Sequence, residues 1–347
     1  MSDIKSDTKT AEFIPLLGSS PHIVSPVNTR MIMASVLIAL APSVISGIIF
    51  FGIPALLTIA VSIAAASLGE FLFRKITKQA PRNKDLSAII TGLILALCLP
   101  PATPLWMTAL GAIFAIVVAK EFFGGLGANV FNPALVGRAF LLMSFPAALT
   151  TWTQPQTIAR AADAVSAAGA GAADAVSAAT PLAVVKAGET LNALGSSYSE
   201  IIQTLFFGSY AGTIGETSSL AILIGFVFLL LIKAVDWRTP ISMLALIAIL
   251  SFALGRDPLV AVLGGGALFG AVFMATDYVT TPLTGKGKII FGCGAGIITV
   301  LIRQWGLYPE GVMFSILIMN AVTPFLNRLL PKKYGYVKPV KPKGGTQ

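Results

Sequence analysis

Two apolar runs in close succession decide the fold class: MIMASVLIALAPSVISGIIFF at Met31–Phe51 and IPALLTIAVSIAAASLGEFLF at Ile53–Phe73. The first run contains no charged residue, and the second contains only Glu70. An apolar run of about 17–25 residues is long enough to cross the hydrocarbon core of a membrane as a helix. This stretch therefore predicts two membrane-spanning helices.

Similar runs recur along the remainder of the 347 residues, of which 55% are hydrophobic and 11% charged, compared with roughly 25% charged residues in soluble domains. Several runs are short or interrupted by Gly and Pro, which is tolerated at membrane depth where the backbone is buried in protein or lines a cavity. We therefore predict an all-α polytopic membrane protein with about ten transmembrane helices, some of them broken. The eight further runs are Leu86–Leu99, Leu105–Ala119, Ala134–Thr150, Ser218–Val235, Ile241–Gly255, Leu259–Ala275, Ile289–Ile302 and Val312–Leu326.

Lys and Arg concentrate in the loops on one side of this predicted arrangement. The loop after the second run and the C-terminal tail are strongly basic, whereas the loops after the first and third runs contain no Lys or Arg. Cytoplasmic loops carry such an excess, so both termini are predicted to be cytoplasmic and residues 151–217 to lie outside. The basic residues that give the net charge of +9 flank the spans, a pattern that argues against nucleic-acid binding.

The long loop at 151–217 divides the predicted spans five and five. Because each half has an odd number of spans, the second half must enter the membrane from the opposite side, and the halves would be inverted repeats. The sequence thus divides into a first half at 1–150, an exported loop at 151–217, and a second half with a basic tail at 218–347.

The exported loop contains DAVSAAT at Asp174–Thr180. This heptapeptide resembles the flavin transferase acceptor motif Asp-x-x-Ser/Thr-Gly-Ala-Thr, with Ala178 in place of the motif's Gly. The resemblance implies that FMN is esterified through its phosphate to the Thr180 hydroxyl, and that Asp174 and Ser177 belong to the same cofactor-attachment motif. The alternative is a loop of small residues without a cofactor.

A second motif, AKEFFGGLGANVFNPALVGRAF, occupies Ala119–Phe140. Its glycines allow close backbone approach, and Asn132-Pro133 is a favourable helix start with Asn as the cap and Pro in the first turn. A helix N-terminus beside a glycine-rich segment suits an anionic or carbonyl-rich ligand, although a turn between spans is the alternative. The candidate cofactor contacts are Gly124, Gly125, Asn129, Asn132 and Arg138.

Together with GETSSLAI at 215–222 and MATDYVT at 274–280, these motifs resemble the RnfD family, which supplies a membrane component of the Rnf electron-transport complex. The NqrB component of the Na⁺-translocating NADH:quinone reductase is homologous, and its complex is the alternative assignment. The resemblance implies a membrane subunit of an ion-translocating ferredoxin:NAD⁺ oxidoreductase in a bacterial or archaeal cytoplasmic membrane. It further implies covalent FMN at Thr180, a second, non-covalent flavin (riboflavin) near the glycine-rich motif, and electron relay coupled to Na⁺ or H⁺ transport.

The resemblance also implies partners: the other Rnf subunits, including membrane subunits, a second covalent-flavin subunit, and iron–sulfur and NAD-binding subunits, besides a flavin transferase and membrane lipid. No catalytic side chain or metal site is predicted in this chain. It contains neither a CxxC motif nor a Rossmann fingerprint, which agrees with iron–sulfur and NAD sites on other subunits. A solute channel or secondary transporter, and a structural anchor for redox partners, are alternatives that would carry no flavin.

Acidic residues at membrane depth are costly and point to function. The ion-coupling candidates are Asp277, Glu70 and Glu121. Asp277 is also a candidate flavin contact. The alternatives are that Glu70 is solvated at the membrane edge and that Glu121 pairs with the neighbouring Lys120.

Overall fold

The computed structural model describes residues 28–79, 85–153, 155, 198–208, 210–306 and 310–328, and its regular elements are helices. Four helical segments in this part of the chain are long and apolar enough to cross a membrane: Thr29–Phe51, Ile53–Ile76, Leu105–Phe123 and Gly285–Trp305. The predicted all-α membrane class is therefore confirmed. Each of the ten apolar runs coincides with helical residues, but several helices are only 10–17 residues long, so the count of ten spans stays a prediction.

Six helices form the first half of the described chain. The third is short because it begins only after Leu86, which has a φ of 64°, and soon meets Pro100-Pro101, where proline cannot continue a helix. The helices are α1 (Thr29–Phe51), α2 (Ile53–Ile76), α3 (Ser87–Leu97), α4 (Leu105–Val117), α5 (Pro133–Ser144) and α6 (Pro146–Thr150), with a short 3₁₀ turn at Glu121–Phe123.

The second half begins with a helix inside the loop predicted at 151–217, and its third apolar run is broken in the middle. Gly265 and Gly266, both with φ above +60°, form this break. The helices are α7 (Tyr198–Phe207), α8 (Ser219–Leu231), α9 (Arg238–Ala253), α10 (Pro258–Leu263), α11 (Ala267–Phe269), which continues as a π-helix at Gly270–Met274, α12 (Gly285–Trp305) and α13 (Val312–Asn327).

Glycines bring the main helices close together. In α3, a Cβ at Gly92 would lie 2.8 Å from the backbone oxygen of Ser62 in α2, and the Ser62 hydroxyl donates to the Gly92 carbonyl at 2.6 Å. In α12, a Cβ at Gly292 would lie 2.5 Å from the backbone oxygen of Thr239 in α9. Small residues at such contacts are the usual means of packing helices within a membrane.

The two halves pack in the same pattern. α2 contacts α4 and α4 contacts α5, just as α9 contacts α12 and α12 contacts α13. Across the halves, α1 contacts α8 and α5 contacts α13. These are the pairs that a two-fold axis exchanging equivalent helices would bring together.

The end of α3 is held by backbone from the other half. The carbonyl of Leu97 accepts a hydrogen bond from the Gly215 N–H at 2.8 Å, and the carbonyl of Leu99 accepts one from Ile214 at 3.1 Å. The last carbonyls of a helix have no partner within the helix, and in an apolar surrounding they must find one in the protein. The segment before α8 thus completes the broken end of α3.

Candidate functional site

A cavity that is partly open to its surroundings lies where several helix ends meet. Its walls come from the N-terminal parts of α1 and α3, the segment at 120–134, the end of α8, and the π-helix with the turn that follows. Its lining includes Met33, Val36, Ser87, Ile90, Thr91, Ile94, Lys120, Leu126, Asn129, Asn132, Leu229, Val272, Phe273, Thr276 and Asp277.

The cavity joins candidates that are far apart in sequence. Asn129 and Asn132 of the glycine-rich motif and Asp277 of the MATDYVT motif all line it. Most of the remaining wall is aliphatic or aromatic. An apolar pocket with a few converging polar groups is the usual form of a cofactor site.

Asn132 positions α5. Its Oδ1 accepts hydrogen bonds from the N–H groups of Ala134 at 3.1 Å and Leu135 at 3.5 Å, and its Nδ2 donates to the Met274 carbonyl at 3.4 Å. These bonds cap the helix and tie it to the π-helix. The amide of Asn132 therefore holds the wall of the cavity, and its direct contact with a ligand stays a prediction.

Asn129 differs from Asn132 in having an unused acceptor. Its Nδ2 donates to the Phe131 carbonyl at 3.1 Å, but its Oδ1 is buried and has no hydrogen-bond partner in the described part of the protein. A buried polar atom without a partner costs about 1–3 kcal/mol. A ligand N–H in the cavity would remove that cost, and the N3–H of a flavin ring is a donor of this kind.

Asp277 lies in the turn after the π-helix. Its Oδ2 accepts a hydrogen bond from the Thr280 hydroxyl at 3.1 Å. Burial raises the pKa of the carboxyl, and hydrogen bonds from Thr280 and from the backbone of Val279 and Tyr278 lower it by less. The group is therefore held closer to its neutral form than an exposed Asp.

A buried network of four charges lies behind the cavity. The Lys120 ammonium is 2.9 Å from Glu70 Oε1 and 2.6 Å from Ser87 Oγ, while Arg74 contacts Glu121 at 3.1 and 3.2 Å. All four charged side chains are at most 4% exposed. A buried charge without a partner is strongly destabilising, and here two acids are matched by two bases.

This network corrects two sequence-based interpretations. Glu70 is buried and paired rather than solvated at the membrane edge, and Glu121 pairs with Arg74 rather than with its neighbour Lys120. The reason is geometric: Glu70 and Arg74 are one turn apart in α2, and both face the turn that contains Lys120 and Glu121. Neither acid lines the cavity, whereas Lys120 does.

Three other candidates are placed away from the cavity. Gly124 and Gly125 adopt positive φ values of 108° and 91° and form the turn before Asn129 without lining the cavity. Arg138, one to two turns along α5, forms an ion pair with Glu310 at 2.5 Å. Thr180, with Asp174 and Ser177, lies outside the described residues.

Sequence reasoning missed Lys120 as a lining residue, the buried acid Glu216 and the partly buried acid Glu310. Glu216 is 4% exposed, and its carboxylate accepts from the Thr213 N–H at 2.9 Å. Glu216 lies within the GETSSLAI motif at 215–222, and Lys120 is a cation that directly follows the apolar run Leu105–Ala119. An ionisable residue in such a position is itself a functional signal, and it could have singled out both.

Comparison with known proteins identifies the family. Residues 16–335 match the model of the NQR2, RnfD, RnfE family. The chain belongs to this family. It is 42% identical over 333 residues to the subunit designated D in the proton-translocating ferredoxin:NAD(+) oxidoreductase complex of Clostridium ljungdahlii, covering 92% of this chain and 96% of that protein.

Two further relatives carry similar names. The subunit designated D in the Na(+)-translocating ferredoxin:NAD(+) oxidoreductase complex of Acetobacterium woodii is 41% identical over 324 residues, covering 93% of this chain and 96% of the relative. The corresponding subunit of an ion-translocating oxidoreductase complex from Escherichia coli is 38% identical over 350 residues, covering 93% and 99%. The relatives are thus subunits of ion-translocating oxidoreductase complexes, matched over nearly their full length.

Proposed function

We propose that this protein is the flavin-carrying membrane subunit of an ion-translocating ferredoxin:NAD⁺ oxidoreductase. The observation that carries the proposal is the near-complete match to subunits whose complexes are named for this reaction. In this role the chain relays electrons within a complex whose iron–sulfur and NAD-binding sites belong to other subunits. It lies in the cytoplasmic membrane with both termini inside.

The first flavin of the proposal is FMN, bound through its phosphate to the Thr180 hydroxyl in the exported loop. The support is the DAVSAAT sequence, which supplies the hydroxyl at the acceptor position of the transferase motif. A covalent bond retains the flavin in the protein when the charge of the ring changes on reduction.

The second flavin of the proposal binds non-covalently in the cavity that Asn129, Asn132 and Asp277 line. A flavin supplies a ring that accepts and donates electrons. The residues of the cavity would bind and orient it. Asn129 Oδ1, which has no partner among the described residues, would accept from a ring N–H, and Asn132 holds the helix that carries the adjoining wall. The apolar lining from α1, α3 and the π-helix would contact the faces of the ring.

We further infer that the two halves are inverted repeats. Their helix contacts correspond, and each half has a buried cation near the end of an equivalent helix. Lys120 follows α4 and reaches Ser87 at the start of α3, while Arg303 near the end of α12 donates to the carbonyls of Ala261, Gly264 and Gly265 around the end of α10. The repeat would place broken helices, and hence polar groups, at both faces of the membrane.

The flavin content of the protein purified with its complex tests the proposal. Denaturation should release one flavin per subunit into the supernatant and leave a second bound to the polypeptide, visible as in-gel fluorescence. A solute transporter or a structural anchor would have neither. Protein expressed together with the transferase and lacking both flavins would contradict the proposed function.

A further inference from the structure

Lys120 is the one member of the buried four-charge network that also lines the cavity, as far as the described residues go. It is 1% exposed. Its carboxylate partner Glu70 and the Arg74–Glu121 pair lie behind it, away from the lining. Of the charged residues of the network, the one that borders the cavity is therefore a cation, and both carboxylates lie behind the lining.

The Lys120 ammonium has one more N–H donor than it has hydrogen-bond acceptors among the described residues. A lysine ammonium carries three N–H donors, and within the described residues two of them are accounted for by Glu70 and Ser87. The third is available to an acceptor in the cavity. Asp277, the acid in the lining, forms no ion pair with Lys120 in the described structure; its carboxylate accepts from Thr280 instead.

We propose that Lys120 is a positioning residue that donates to a carbonyl or nitrogen acceptor of the ring bound in the cavity and raises its reduction potential. This inference rests on the proposed function. When two electrons from the preceding carrier and one proton from water enter a flavin ring, one negative charge remains on the ring. A fixed ammonium beside it stabilises that charge, and charge near the ring is a principal means by which proteins tune flavins.

The role of Glu70 follows from the same geometry. Its carboxylate at 2.9 Å partly offsets the charge of Lys120 and fixes the ammonium in place. Removing the carboxylate charge while keeping the ammonium should strengthen the field at the ring, so substitutions at the two residues should change the potential in opposite directions. A purely structural role for the pair would change it in the same direction or leave it unchanged.

The experiment is redox titration of the purified complex, followed by flavin absorbance and compared between variant and wild type, so that the unchanged centres of the other subunits cancel. Lys120→Gln should weaken the preference for the reduced ring about tenfold or more, which lowers the potential of a two-electron couple by about 30 mV or more. Glu70→Gln should raise the potential. Lys286→Gln removes an exposed charge outside the cavity lining and should leave the potential unchanged.

A second variant covers the case in which Lys120→Gln leaves Glu70 with only its longer contact to Arg74 at 3.9 Å and the protein fails to fold. Lys120→Gln/Glu70→Gln removes both charges and should show the lowered potential. Bound flavin whose potential is unchanged in this double variant, or shifts of equal sign in the two single variants, would overturn the inference. Wild-type complex without extractable flavin would instead contradict the second flavin of the proposed function.

Discussion

Lys120 and Glu70, fifty positions apart in the sequence, form a buried ion pair with Nζ and Oε1 separated by 2.9 Å. The pair joins the turn after α4 to the C-terminal part of α2. It also places a fixed charge at the wall of the cavity that the two halves enclose. The pair therefore bears on both the stability of the fold and the electrostatics of the site.

Breaking this pair from one side should be strongly destabilising. Lys120→Met leaves the Glu70 carboxylate buried without its ammonium partner, and such changes typically cost about 3–5 kcal/mol. Thermal unfolding of the detergent-solubilised protein should show a large fall in Tm. Lys120→Met/Glu70→Gln should recover most of it, because no unpaired charge is left.

The matched control is the more exposed pair between Lys288 and Asp236, at 3.1 Å with side chains about one quarter exposed. Lys288→Met should cost less than about 1 kcal/mol, as for other surface pairs. Equal losses of stability in Lys120→Met and Lys288→Met would contradict the prediction that a buried ion pair costs more to break than an exposed one.

The two asparagines of the cavity should behave differently. Asn129→Ala removes an acceptor that has no partner within the described protein, so it should lower the content of extractable flavin and leave Tm nearly unchanged. Asn132→Ala removes the cap of α5 and should cost about 1 kcal/mol. Asn132→Asp, which retains a capping oxygen, should be less damaging to Tm. If Asn129→Ala kept full flavin content, the proposed hydrogen bond would be wrong.

The Asp277 carboxylate should lower the folding stability of the protein at neutral pH. Burial raises the pKa of its carboxyl above the ordinary value of 3.8, so the charged form opposes folding at neutral pH and this loss disappears as the pH falls towards 3.8. Asp277→Asn should therefore be more stable than wild type at neutral pH, and equally stable in acid. Thermal unfolding of both proteins across this pH range measures the difference.

The same variant tests a role in ion coupling. If Asp277 exchanges a proton or binds the transported cation, Asp277→Asn should lower ion transport by sealed vesicles while covalent flavin and complex assembly remain normal. Unchanged transport would exclude that role, whatever the effect on stability.

The distribution of basic residues predicts the orientation of the chain. A Ser196→Cys probe in the exported loop should react with an impermeant thiol reagent added outside intact cells, and a Lys343→Cys probe in the tail should react only after permeabilisation. The two native cysteines, Cys98 and Cys293, are replaced in both probes so that labelling reports the new position. The reverse pattern would overturn the orientation.

Much of the fold could be predicted because a helix that crosses a membrane must consist of a long run of apolar residues, which is visible in the sequence. Apolar runs such as Met31–Phe51 became helices with nearly the predicted ends. The break at Gly265-Gly266 could be predicted only as an interrupted run, because the groups that stabilise it come from elsewhere: Arg303 donates to Gly264 and Gly265 from α12.

The site could be predicted in part. The motifs singled out Asn129, Asn132 and Asp277, and the structure brings all three to one cavity. Their individual roles depend on contacts between residues far apart in the sequence, which no local pattern encodes. Asn132 and Met274, for example, are 142 positions apart. For the same reason, the sequence paired Glu121 with its neighbour, whereas the structure pairs it with Arg74.

Flavin attachment to this chain is tested most directly by the mass of the tryptic peptide containing Thr180, taken from cells that express the flavin transferase. The peptide is expected at the mass of its FMN phosphoester, and the corresponding Thr180→Ala peptide at its unmodified mass with loss of in-gel fluorescence. Recovery of the wild-type Thr180 peptide only at its unmodified mass would contradict the proposal that the chain carries covalent flavin.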